Sequence, residues 1–176
     1  PYDNLRTYNG NISQWTFEKI QGIAKQLYRV TKQGGVVVWV VADATINGSE
    51  TGTSFRQALW FMDCGFNLHD TMIWEKTSFS ATGSLAVRYA PVFEYMFVVS
   101  KGKPKTFNPI KDKPNKYGGT KHVGTVRKPD GTMKRISAEG KAISDFGQRH
   151  NVWIMPQVRG KNTRDHPAVF PEQLAN

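Results

Sequence analysis

The 176-residue chain is 39% hydrophobic and 12% aromatic, enough for one substantial core and too short for two full domains. No run approaches the roughly 18 uninterrupted apolar residues of a membrane span, so a helical membrane protein is not expected. The net charge of +10 is segregated: residues 101–165 hold 16 of the 24 Lys and Arg but five of the 14 acids, leaving eight basic and nine acidic residues elsewhere.

In chain order, apolar residues at Ile20, Ile23, Ala24, Leu27 and Val30 repeat at the spacing of one helical face. The spacing predicts a helix over 15–30, with Ser13 as candidate cap and Gly34-Gly35 as its stop. The run VVVWVVAD (36–43) is β-branched without polar interruption, which predicts a strand buried on both faces of a parallel sheet. INGSETGT reads as a loop into a second helix over 53–64, with Phe55, Ala58, Leu59 and Met62 facing the core and Gly65 ending it. Two strand-like segments, 66–76 and 91–101, then follow without an intervening helix. The expected class is therefore α/β, part of a doubly wound sheet finished by an antiparallel strand pair.

The connection TSFSATGSLAVRYA is long for a hairpin, and long loops on rigid scaffolds carry sites. Residues 102–150 show no sustained period, with a turn expected at Pro129-Asp130-Gly131. NVWIMP (151–156) reads as a short strand, and HPAVFPEQLAN begins like a helix. Lys and Arg interleaved with Gly, Pro, Thr and aromatic residues suit a phosphate backbone, the alternative being a solvated basic insertion. His69, His122 and His150 have no partners at metal-ligand spacing, so no metal is expected. The lone Cys64 fits a reducing cytoplasm and is expected to be a buried structural residue.

Several stretches together resemble the DNA amino-methyltransferases. Pro1-Tyr2 is similar to the last half of that family's Asp/Ser/Asn-Pro-Pro-Tyr motif, and His166-Pro167-Ala168-Val169-Phe170-Pro171 with Leu174 to its His-Pro-Ala-x-Phe-Pro-x-x-Leu element. Asn151-Val152-Trp153 lies a short basic loop upstream of that element, and Trp74-x-Lys76 with Phe93-Glu94 resembles the family's strand-loop-strand segment. The order corresponds to the permuted arrangement in which the catalytic half precedes the cofactor half.

That resemblance implies a Rossmann-like methyltransferase sheet, S-adenosylmethionine as cofactor and double-stranded DNA as substrate. The reaction would methylate the exocyclic amino group of a flipped adenine or cytosine. Residues 1–101 would be the catalytic half, 102–156 a small irregular basic target-recognition region, and 157–176 the start of the cofactor half. Pro1 and Tyr2 would be catalytic, with Tyr2 stacked on the base. His166, Pro167, Ala168 and Phe170 would contact the cofactor. Trp74, Lys76, Phe79 and Tyr89 would border the base pocket, and Arg88, Arg127, Lys128, Lys134, Arg135 and Arg149 would contact DNA.

The family's glycine-bearing cofactor motif does not occur before Asn176, so the chain is expected to be a segment, inactive alone, of a bacterial or phage cytoplasmic enzyme. An unpaired sheet edge would then favour a homodimer. Restriction-modification, phage or epigenetic use would all suit such an enzyme. Two other readings stay open: a catalytically dead DNA-binding module, and a related methyltransferase acting on RNA or a protein amide.

Overall fold

The structure, a computed structural model, describes residues 7–8, 11–12, 16–78, 85, 87–157 and 170–175. The candidates Pro1, Tyr2, Ser13, Phe79, His166, Pro167 and Ala168 lie outside the described residues. The chain divides into two compact units, Pro1–Thr106 with Asn151–Asn176, and Phe107–His150. In chain order the first carries β1 (Thr7–Tyr8), β2 (Asn11–Ile12), α1 (Phe17–Val30), β3 (Val36–Val41), β4 (Thr45–Ile46), β5 (Ser49–Glu50), α2 (Thr53–Asp63), β6 (Asn67–Lys76) and β7 (Phe93–Ser100). The second carries β8 (Lys113–Pro114), β9 (Thr125–Arg127), β10 (Met133–Arg135) and β11 (Phe146–Gly147), and the first resumes with β12 (Val152–Met155) and α3 (Glu172–Ala175).

The first unit is α/β, built on a sheet of order β12-β6-β7-β3. The pair β6–β7 is antiparallel, as its sequence predicts, and β12 returns parallel to β6. The expectation for β3 is corrected. It pairs with β7 alone among the described residues, antiparallel and at the sheet edge, with Val36 and Val38 exposed. An uninterrupted apolar run records that both faces avoid polar side chains, but it does not record which neighbour the strand takes.

Strand alternation separates two cores. On one face Ala24, Phe61, Phe66 and Val99 pack with Leu27, Tyr28, Val37 and Trp39, while Val41, Ala58 and Phe97 continue the same layer. On the other face Trp74, Met96 and Met155 pack with Val40, Met72, Trp153 and Leu174.

The helices differ from their predicted frames in ways that polar anchors explain. Thr16 caps α1, its hydroxyl accepting from the Lys19 amide at 3.4 Å, and the helix ends at Val30 on Thr31, ahead of Gly34-Gly35. The buried face of α1 holds Ile20 and Ala24, with Val30 exposed. In α2 the expected face is corrected: Ser54, Gln57, Ala58 and Phe61 are buried, while Phe55, Leu59 and Met62 are exposed. The Trp39 indole N–H donates to Gln57 Oε1 at 2.7 Å, and Ser54 hydrogen-bonds Asp43, so two polar ties turn the helix about one position from its most apolar stripe.

In the second unit β8 pairs with β11 and β9 with β10, both antiparallel, and the β9–β10 hairpin closes around the expected Pro129-Asp130-Gly131 turn. No residue from 107 to 150 is buried. The unit is held instead by backbone bonds such as Gly119 N–H to Ile143 O (2.8 Å), Ile143 N–H to Thr120 O (2.7 Å) and His122 N–H to Lys141 O (2.8 Å).

Candidate active site

Strands β3, β6 and β12 share one direction, so their carboxyl ends at Val41, Lys76 and Met155 meet the start of β7 at Phe93. Ligands of open α/β sheets bind at this end. Here Lys76 Nζ lies 2.6 Å from Glu94 Oε1, with side chains 15% and 6% exposed. The ammonium also sits over the Trp74 ring, 5.3 Å from its centroid. Trp74 is 3% exposed and donates its indole N–H to Met155 O at 3.1 Å, tying β6 to β12. Phe170 packs edge-on to Trp74 at 6.0 Å.

Three sequence-derived candidates, Trp74, Lys76 and Phe170, are therefore brought together. Trp74 and Lys76 spend their side chains on packing and pairing, whereas Tyr89 is 99% exposed on the long connection. Arg88 is engaged within the protein: its guanidinium donates to Thr45 Oγ1 at 3.0 Å and to Gly48 O at 2.6 Å, fastening that connection to the β4–β5 hairpin.

Sequence reasoning passed over two features here. The β4–β5 hairpin turns on Asn47 (φ 49°) and Gly48 (φ 80°), and the Asn-Gly pair inside INGSETGT is the signal for such a turn. Asp43 is the second. Its carboxylate accepts from the Ser54 amide at 3.1 Å, from the Ser54 hydroxyl and from Thr51 Oγ1 at 3.2 Å. It thereby serves α2 as a cap, because Gly52 at the N-cap has no side chain to offer. Asp43→Ala is expected to lower stability by about 1–2 kcal/mol in urea unfolding, and a change under about 0.5 kcal/mol would count against the capping role.

An aromatic row runs beside Asp43. Tyr95 stacks on Phe97 at 5.3 Å and meets Phe93 at 5.3 Å and Phe55 at 5.5 Å. Burial, aided by Asp43 and Glu50, pushes the Tyr95 hydroxyl above its ordinary range. Cys64 is half-buried at the end of α2, a correction to full burial, and burial pushes its thiol up, away from the nucleophilic thiolate. Among the described residues no three of His, Cys, Asp and Glu cluster to hold a metal, and no helix is long and apolar enough to cross a membrane.

The basic candidates of the second unit fall into two groups. Arg135 pairs with Glu139, and Arg149 Nε donates to Asp112 Oδ2 at 2.9 Å, holding the Asp112 carboxyl below its usual range. Arg127, Lys128 and Lys134 make no side-chain hydrogen bond or ion pair among the described residues.

The DNA methylase family model N6_N4_Mtase matches residues 1–176. The chain is 53% identical over 182 residues to the orphan methyltransferase M.BamHII of Bacillus amyloliquefaciens, covering 99% of this chain and 66% of that protein, just under two thirds of its length. Among solved structures it is similar to M1.HpyAVI in complex with SAM (18% identity, TM-score 0.41, 55% of this chain and 44% of that one). It is also similar to TTHA0409 of Thermus thermophilus complexed with S-adenosyl-L-methionine (19% identity, TM-score 0.39, 56% of this chain and 40% of that one).

Proposed function

We infer from this chain, which belongs to the DNA methylase family N6_N4_Mtase, that the full-length protein is a site-specific DNA methyltransferase working in the bacterial cytoplasm. Its substrate on this reading is the exocyclic amino group of an adenine or cytosine turned out of duplex DNA. The observation that carries it is the meeting of Phe170, from the His-Pro-Ala-x-Phe-Pro element, with Trp74 beside the Lys76–Glu94 pair at the carboxyl end of the sheet. The M.BamHII relative, named a methyltransferase, supports the same reading.

When bound, S-adenosylmethionine supplies a sulfonium-activated methyl group. The exposed ring of Phe170, braced on buried Trp74, fits packing against the apolar carbons of the cofactor's methionine end. His166, Pro167 and Ala168 would complete that contact. A stacked, paired amino group cannot meet the donor in line, so the base must leave the duplex. Tyr2 would stack on it, Pro1 would shape the turn beneath, and Phe79 and Tyr89 would close the pocket from the long connection. The transfer needs no covalent intermediate on the protein; proximity and orientation are what these residues contribute. Residues 102–156 would hold the phosphates.

Incubation of the full-length protein with labelled S-adenosylmethionine and mixed duplex DNA, followed by nucleoside analysis, tests this directly. Label in N6-methyladenine or N4-methylcytosine is expected; unlabelled DNA would overturn the reading. Tyr2→Ala is expected to lower turnover roughly 10- to 100-fold, the loss of one base–aromatic stack, with cofactor affinity in titration little changed. Unchanged turnover would remove Tyr2 from the base pocket.

A further inference from the structure

We propose that the β9–β10 ribbon reads DNA sequence by entering the major groove, with Arg127 on a guanine edge and Lys128 and Lys134 on the flanking phosphates. The inference rests on the reading of this protein as one that acts on duplex DNA.

A two-stranded ribbon, its backbones about 5 Å apart, fits the roughly 12 Å width of the major groove. This ribbon is prepared for that use. Its residues from 123 to 136 include four basic side chains and one acid, Asp130. That acid is occupied by the turn, where its Oδ1 accepts from the Thr132 amide at 2.8 Å and the Thr132 hydroxyl at 2.7 Å. Those bonds, the Thr132 hydroxyl foremost, hold the Asp130 carboxyl below its ordinary range. Gly131 at φ 84° completes a tip that is fixed before any partner arrives. A preset tip lowers the ordering cost of binding.

Register then sorts the side chains. Arg127 pairs with Met133, Lys134 with Val126 and Arg135 with Thr125, so Thr125, Arg127, Met133 and Arg135 share one face and Val126 and Lys134 the other. On the first face Arg135 is held by Glu139, which leaves Arg127 as the available guanidinium. A guanidinium fork matches guanine O6 and N7 as a bidentate donor, and the exposed Met133 beside it offers an apolar contact suited to a thymine methyl. Lys134 on the opposite face and Lys128 at the tip are point charges, suited to phosphate oxygens rather than to a paired edge.

The test is selection of bound duplexes from a randomised pool by the full-length protein and three variants, Arg127→Lys, Arg127→Ala and Lys134→Ala. The wild type is expected to enrich a motif containing guanine. Both Arg127 variants should lose about tenfold discrimination at one guanine position, and Arg127→Lys should do so with its salt dependence intact. Lys134→Ala should keep the motif, bind more weakly, and reduce the slope of log affinity against log salt by about 1. Because Arg127 is exposed and without a partner among the described residues, its variants should unfold at the wild-type temperature, which separates a reading role from a folding defect. The proposal is overturned if Arg127→Lys enriches the wild-type motif undiminished, or if the wild type enriches no motif. A protein that enriches a motif yet transfers no methyl group would instead sink the methyltransferase reading and leave the ribbon's role standing.

Discussion

Replacing Glu94 by alanine is expected to lower the unfolding free energy by about 3–5 kcal/mol, because it strands an ammonium that is mostly shielded from water. Lys76 reaches its carboxylate at 2.6 Å from a position over the Trp74 ring and opposite Met155 in register, and the two side chains are only 15% and 6% exposed. Folding has already removed both ions from water, and their attraction offsets that cost only while the pair is intact. Removing both charges is a different experiment. A Lys76→Met and Glu94→Leu double variant keeps similar volume without ions and is expected to be near wild type, within about 1 kcal/mol. Urea unfolding with an unchanged slope would report both values. If the single variant unfolded within about 0.5 kcal/mol of wild type, the pair would be an incidental contact.

Phe61→Ala is the second large effect, expected at about 3–5 kcal/mol. Its ring is fully buried, with Trp39 at 5.1 Å and Phe66 at 5.7 Å, at the point where α2 meets the sheet. Truncation removes transfer free energy and leaves a cavity that its aromatic neighbours cannot easily collapse. Against a typical total of about 5–15 kcal/mol, that loss leaves the unit marginal. A thermal midpoint close to wild type would mean that the core repacks around the gap.

Much of this arrangement was legible in the sequence, and the failures share a physical cause. The two long strands, the return strand and the Pro-Asp-Gly turn were each legible from local chemistry, because strand-forming and turn-forming residues act over a few positions. The face of α2 was not. Its most apolar stripe lost to Gln57 and Ser54, whose partners Trp39 and Asp43 lie 18 and 11 residues away in sequence. The neighbours of β3 were equally hidden, since strand pairing is decided by topology rather than composition. At the site, the chemistry of Trp74 and Lys76 could be singled out, but the burial that commits Lys76 to Glu94 appears only once β6 and β7 are aligned.

The return of β12 to the side of β6 has a consequence for how the protein is made. The bond from the Trp74 indole to the Met155 carbonyl joins residues 81 positions apart, so on a translating ribosome the outer edge of β6 waits while the second unit is synthesised. At about 5–20 residues per second that delay is roughly 4–16 s. The ladder of residues 107–150 closes within that segment and can form during the wait, whereas the sheet closes last. The nascent chain is therefore most vulnerable to edge pairing with other chains in that interval, and a chaperone that shields β6 would act before β12 emerges.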